Sequence, residues 1–160
     1  MTSRQCEIAA EAYTASLLAR CGYDVSVQYG ANQPDYDLIA VKSDRILLIS
    51  VKGSQDGGWM LAVKHKKQGV TYHQAIDDWL KRQRTGLVYF LVQYHDTDLN
   101  VIPRVYIAHA PEIANHMKTQ RNGQGHGALS EGILKPGSKS MYKHALPSAW
   151  KLTLGRVHSM

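Results

Sequence analysis

The 160-residue chain contains no run of 18 apolar residues, which excludes a helix that crosses a membrane. Its cysteines number two, Cys6 and Cys21. If both lie on one helix, the intervening rise of about 1.5 Å per residue separates them by about 22 Å, far beyond disulfide reach. The opening segment MTSRQCEIAAEAYTASLLARCGY carries Glu7 and Glu11 and lacks an uninterrupted apolar region, so it does not read as a secretory signal. A cytoplasmic, intracellular protein with reduced thiols is the expectation. Acidic side chains are scarce in the second half. Residues 99–160 hold eight Lys or Arg against only Glu112 and Glu131, whereas residues 1–98 hold eleven of each sign, so this part supplies the whole net charge of +6. The asymmetry suits a polyanionic partner or a basic solvated surface.

With 44% hydrophobic and 20% charged residues the chain fits one domain, residues 1–160, with a core of its own. Residues 3–21 carry the clearest helical pattern. Gln5, Ser16 and Arg20 form a polar face, and Ala10, Ala15, Leu17, Leu18 and Cys21 lie opposite. Glu7 and Glu11 fall inside the apolar sector, a costly place for carboxylates unless something compensates them. Strand-like runs follow: YDVSVQY (23–29), DLIAV (37–41), RILLISVK (45–52) and GGWMLAV (57–63), with residues 23–63 expected as consecutive antiparallel strands. HQAIDDWLKRQ, within a pattern of Tyr72, Ile76, Trp79 and Gln83, reads as a second amphipathic helix. GLVYFLVQY (86–94) and VYIAHA (105–110) read as strands, and Pro111 opens a short helix, PEIANHMKTQ. A loop-rich basic extension is expected from about residue 121, with AWKLTL (149–154) as a last strand.

One stretch stands out. In ILLISVKG (46–53) an apolar strand ends by placing Ser50 and Lys52 on one face, because side chains alternate along a strand. A turn centred between Ser43 and Asp44 puts Asp37 directly across from Ser50, with Cβ atoms about 5 Å apart. Asp37, Ser50 and Lys52 therefore converge at one end of a hairpin, and the helix bearing Glu11 must pack on something. Singly these residues suit an ion pair capping a hairpin and a solvated helix. Together they suit a site for a cation.

At these residues, QPDYDLIA and LLISVKGS, the chain resembles the PD-(D/E)XK nuclease superfamily, which includes restriction enzymes, archaeal Holliday-junction resolvases and some intron-encoded homing endonucleases. The resemblance implies an α/β, restriction-endonuclease-like αβββαβ core over roughly residues 3–108, a mixed sheet flanked by helices. It implies Mg²⁺, or Mn²⁺, held by Asp37 and Glu11 with the Val51 carbonyl adding an oxygen. Lys52 would be the motif lysine that orients or activates a water and stabilises developing charge. Asp35, beside Pro34, is the rival for the aspartate. Ser50 stands where the motif calls for Glu or Asp, and a hydroxyl is a weak Mg²⁺ ligand. Two functions follow: a metal-dependent DNA endonuclease, acting on duplex or branched DNA as a dimer or larger homo-oligomer, or a nuclease-fold binding module that has lost catalysis.

Lys64, Lys66 and Lys67 in KHKK, the KRQR run (81–84), and Lys135, Lys139 and Lys143 are candidate phosphate contacts beside such a site. Gln68, Tyr72 and His73 are candidates to line its cleft. The eight histidines show no zinc-ligand spacing and read as surface or DNA-contact residues. GQGHG (123–127) neither follows a strand nor carries a phosphate-loop ending and reads as a flexible loop.

Overall fold

The computed structural model describes residues 1–28, 35–132 and 145–160. Its helices are α1 (Ser3–Arg20), α2 (Tyr72–Lys81), α3 (Ala110–Thr119) and α4 (Leu154–His158). Its strands are β1 (Asp24–Val27), β2 (Leu38–Lys42), β3 (Arg45–Ser54), β4 (Gly58–Met60), β5 (Val88–Gln93), β6 (Arg104–His109) and β7 (Ala128–Ser130). Five strands form a mixed sheet in the order β1-β2-β3-β5-β6, in which only the β3–β5 pair is parallel. Helices cover both faces, as expected of an α/β fold with a flanked mixed sheet.

Amphipathic patterns place α2 and α3, whereas α1 packs along a mixed stripe of Cys6, Ala10, Glu11, Thr14 and Leu18. Ala10 and Leu18 of α1 pack against Leu38, Ala40, Ile49, Val51 and Phe90 on one face. Ile76 and Trp79 of α2, with Ile113 and Met117 of α3, pack against Tyr89, Leu91, Tyr106 and Ala108 on the other. All six residues of β5 are buried, because this central strand has a helical layer on each side. Helices α1 and α2 open with capping boxes, Thr2 with Gln5 and Thr71 with Gln74. Pro111 sits in the first turn of α3, where its missing N–H costs nothing.

Three expectations are corrected. Residues 57–63 do not add a fourth strand to the main sheet. The strand β4 is short and pairs with β7, from the segment expected to be loop, in a separate two-stranded sheet. After it, Val63–His65 is one turn of 3₁₀ helix. This small sheet is tied to the main one by Glu131, whose carboxylate accepts Arg104 Nε at 3.0 Å, Arg104 NH2 at 2.9 Å and the Tyr106 hydroxyl at 2.7 Å. Residues 149–154 are not a strand either. Ser148–Trp150 is a 3₁₀ turn, Lys151 makes a single bridge to Tyr106, and Thr153 then caps α4. Arg156 on α4 chelates Glu112 with two contacts of 2.7 Å. Lastly, Glu7 lies exposed and pairs with Arg4 at 2.9 Å, while Cys6 and Ala10 take the sheet-facing positions. Both cysteines are free thiols.

Gly53 fixes how closely α1 can approach. A Cβ there would stand 2.7 Å from the Cys6 carbonyl oxygen and 3.0 Å from Ala10 Cβ. Gly53→Ala should therefore push α1 off the sheet and cost about 1–3 kcal/mol, read as a lower urea midpoint. A midpoint equal to that of the unsubstituted protein would show that the helix is not seated there.

Candidate active site

The two-residue turn at Ser43 and Asp44, with Ser43 in the left-handed region (φ 52°), sets the β2–β3 register at Leu38 opposite Ile49 and Lys42 opposite Arg45. Asp37, one residue before β2, donates its N–H to the Ile49 carbonyl at 2.8 Å and lies beside Ser50. Past Ile49, the last residue paired with β2, the strand β3 runs on for five more residues. Along that overhang the β2 side of β3 has no strand partner, so the Val51 N–H would be an orphan donor. Asp37 supplies the acceptor. Its Oδ2 takes the Val51 N–H at 2.6 Å and the Ser50 hydroxyl at 3.2 Å, and Lys52 Nζ lies 3.7 Å away. One oxygen thus gathers three consecutive residues of β3. Val51 enters through its N–H, where its carbonyl was the expectation, and its side chain packs in the core beneath α1.

Asp37 Oδ1 accepts no hydrogen bond among the described residues, and the Lys52 side chain is 41% exposed. This ion pair therefore retains an open side. Glu11 reaches the same edge from α1. It is only 7% exposed, and among the described residues it has no hydrogen-bond or ion-pair partner. Burial pushes its pKa up, and the charges of Asp37 and Glu7 push in the same direction, while Arg4 and Lys52 oppose them weakly. The charge of Asp37 thus acts on Glu11.

Ser50 and Lys52 open onto a cleft of about 650 Å³. Its floor is Leu61, Trp79 and Tyr89, and its walls are Met60, Val63, Lys64, His65, Arg82 and Asp35. Tyr89 sits beside Ser50 in the parallel register and hydrogen-bonds Gln83. Burial, with the nearby charges of Asp37 and Asp35, raises its pKa, so the phenol stays protonated. Burial and the neighbouring Arg82 and Lys64 lower the pKa of His65. Arg84 lies over the Tyr36 ring, 5.7 Å from its centroid.

Of the basic residues singled out in the sequence, Lys64 forms a cleft wall, Lys66 lies over the Tyr72 ring, and Lys67 is exposed. Lys135, Lys139 and Lys143 lie outside the described residues. Asp35 lines the cleft mouth, but Asp37 holds the β3 edge. The cleft residues that pattern reading passed over are Trp79 and Tyr89, whereas Arg82 falls within the KRQR run and His65 among the histidines read as contacts. From the KHKK and KRQR runs, the adjacent pairs Lys64 with His65 and Arg82 with Gln83 line the cleft.

The donor set tests the fit of a metal. Asp37 and Glu11 are the carboxylates on hand, since the charge of Asp37 acts on Glu11, and among the described residues no group of three or more His, Cys, Asp or Glu could hold an ion. Mg²⁺ is commonly bound through one or two carboxylates together with waters and substrate phosphates. A buried unpaired Glu11 beside an open oxygen of Asp37 fits that mode.

No family model matches the chain, and no curated protein matches it. Among solved structures, that of a bacterial homing endonuclease is similar, with a TM-score of 0.47 and 11% identity, over 94% of this chain and 89% of that one.

A raised Glu11 pKa has a defined sign in stability. The unfolded chain releases this proton near about pH 4.3, whereas the folded carboxyl holds it to higher pH. The contribution of Glu11 to stability is therefore highest below that value and falls as pH rises through the folded pKa. In metal-free buffer, Glu11→Gln should raise the urea midpoint at neutral pH, and the gain should shrink as pH is lowered towards about 4. A gain that is independent of pH would show that Glu11 is not held against its charge.

Proposed function

We propose that the chain is a divalent-metal-dependent endonuclease that hydrolyses phosphodiester bonds in DNA, with Glu11, Asp37 and Lys52 as its catalytic residues. The observation that carries this reading is Glu11. A carboxylate that is buried, partnerless among the described residues and set against a second carboxylate is expensive unless a cation joins it. Asp37 Oδ1 and Glu11 are the protein ligands in this reading. A bound Mg²⁺ or Mn²⁺ would neutralise charge at the scissile phosphate and lower the pKa of a coordinated water.

The remaining work falls to the chain's own groups. Lys52 is positioned through Asp37, and its exposed ammonium can donate to a phosphate oxygen or to the attacking water. Ser50 adds no negative charge. Its hydroxyl donates to Asp37 Oδ2 and so helps hold the carboxylate in one orientation. The cationic walls of the cleft, Lys64 and Arg82, suit the flanking phosphates. Cutting both strands of a duplex takes two such sites, which a homodimer would supply.

A second reading, a nuclease-fold module that binds nucleic acid without cutting it, is favoured by Ser50 alone, since two carboxylates remain where the motif has three acidic positions.

Plasmid and branched DNA incubated with Mg²⁺ or Mn²⁺ separate the two. Asp37→Asn keeps an acceptor for the Val51 N–H and preserves the strand edge. It and Lys52→Met should each lower cleavage by about 100-fold or more while DNA binding in EDTA is kept. Ser50→Glu should tighten the apparent metal affinity. Cleavage that survives both Asp37→Asn and Lys52→Met would place the chemistry elsewhere. No cleavage of any substrate, with no Mn²⁺ bound in solution, would leave the binding module.

A further inference from the structure

The glycine-rich segment after α3 is a built turn. Arg121 (φ 54°), Asn122 (φ 55°), Gly123 (φ 84°) and Gly125 (φ 80°) all take left-handed backbone conformations, which disfavour the two residues that carry side chains. The turn is hydrogen-bonded back to α3, with Gly125 N–H to the Gln120 carbonyl at 2.9 Å and His126 N–H to the Met117 carbonyl at 3.0 Å. It is seated on the cleft wall. Gly127 accepts the Ala62 N–H at 2.7 Å, and a Cβ on it would stand 2.9 Å from Val63 N. A His73 ring nitrogen meets the Gly123 carbonyl at 2.8 Å.

This geometry delivers Arg121 to an aromatic ring. Its guanidinium lies 5.3 Å from the centroid of Tyr72, at the start of α2. Lys66, from the other side of the 3₁₀ turn, has its ammonium 5.4 Å from the same centroid. His126 leans on that ring at 5.5 Å. Two permanent cations thus share one ring, whose electron-rich face attracts both. The cluster is continuous with the cleft, since Val63, Lys64 and His65 line the cleft and Lys66 is the next residue.

We propose that Tyr72, Lys66 and Arg121 form a second contact for the phosphate backbone of a nucleic-acid strand, extending the footprint from Lys52 and Lys64 across the 3₁₀ turn to the glycine-rich loop. The proposal rests on the reading of the cleft as a nucleic-acid site. A polynucleotide fits better than a small anion because the cations continue from one cavity onto an open surface, as the repeating charge of a strand requires.

The test is binding of a labelled DNA duplex to the full chain in EDTA, over a KCl series, so that catalysis plays no part. Lys66→Gln and Arg121→Gln should each weaken binding and flatten the slope of log K against log[salt] by about 0.9. Arg121→Lys should restore the slope. Tyr72→Leu, which alters no charge, should also weaken binding, because the cations lose the ring that gathers them. Arg20→Gln, on the exposed side of α1, should change nothing. Unchanged slopes in Lys66→Gln and Arg121→Gln, or an Arg121→Lys slope as flat as that of Arg121→Gln, would overturn the second contact and leave the cleft reading intact. Absence of salt-dependent binding by the unsubstituted protein would overturn both.

Discussion

The hydrogen bond from the Val51 N–H to the Asp37 carboxylate is the contact on which the site's geometry turns. It exists because β3 is five residues longer than its antiparallel partner at that end. An unpaired strand edge beneath a helix must find an acceptor, and the first residue outside β2 provides it. In satisfying the backbone, Asp37 is also placed beside Ser50 and Lys52. A structural need of the sheet thus produces an oriented acid–lysine pair at the mouth of a cleft.

Glu11 shows the opposite balance. Nothing in the described fold compensates its burial, so it lowers stability near neutral pH in exchange for a carboxylate held next to Asp37. Residues that oppose folding and also line an open charged edge are commonly functional. The contrast with Glu131 is instructive. That side chain is also little exposed, yet Arg104 and Tyr106 satisfy it, and burial together with the bond to Glu131 pushes the Tyr106 pKa up to about 12. Glu131 anchors the small sheet on the main one, and that sheet supplies the cleft residue Met60.

The cleft wall is therefore assembled from distant parts of the chain. Gly127 packs on Ala62 and Val63, α2 brings Trp79 and Arg82, and β5 brings Tyr89. The glycines of residues 123–127 serve close backbone contact and tight turning, and what looked like a slack linker is a bracket that sets the position of Arg121.

Local pattern determined much of this protein. Alternation and turn chemistry gave β2 and β3 their register, and with it the meeting of Asp37 and Ser50. Period-3.6 spacing gave α1 and α2, and a continuous apolar run gave the central strand β5. These features depend on neighbours within a few residues, so the sequence carries them directly. Tertiary packing decided the rest. Whether Glu7 or Glu11 is buried depends on which turn of α1 overlies the end of β2. Whether Gly58–Met60 joins the main sheet depends on β7, some 70 residues later, which offers a competing partner. Whether residues 149–154 extend β6 depends on Glu112 capturing Arg156. Each outcome is a choice between long-range partners of similar local propensity, and no short window of sequence contains both partners at once.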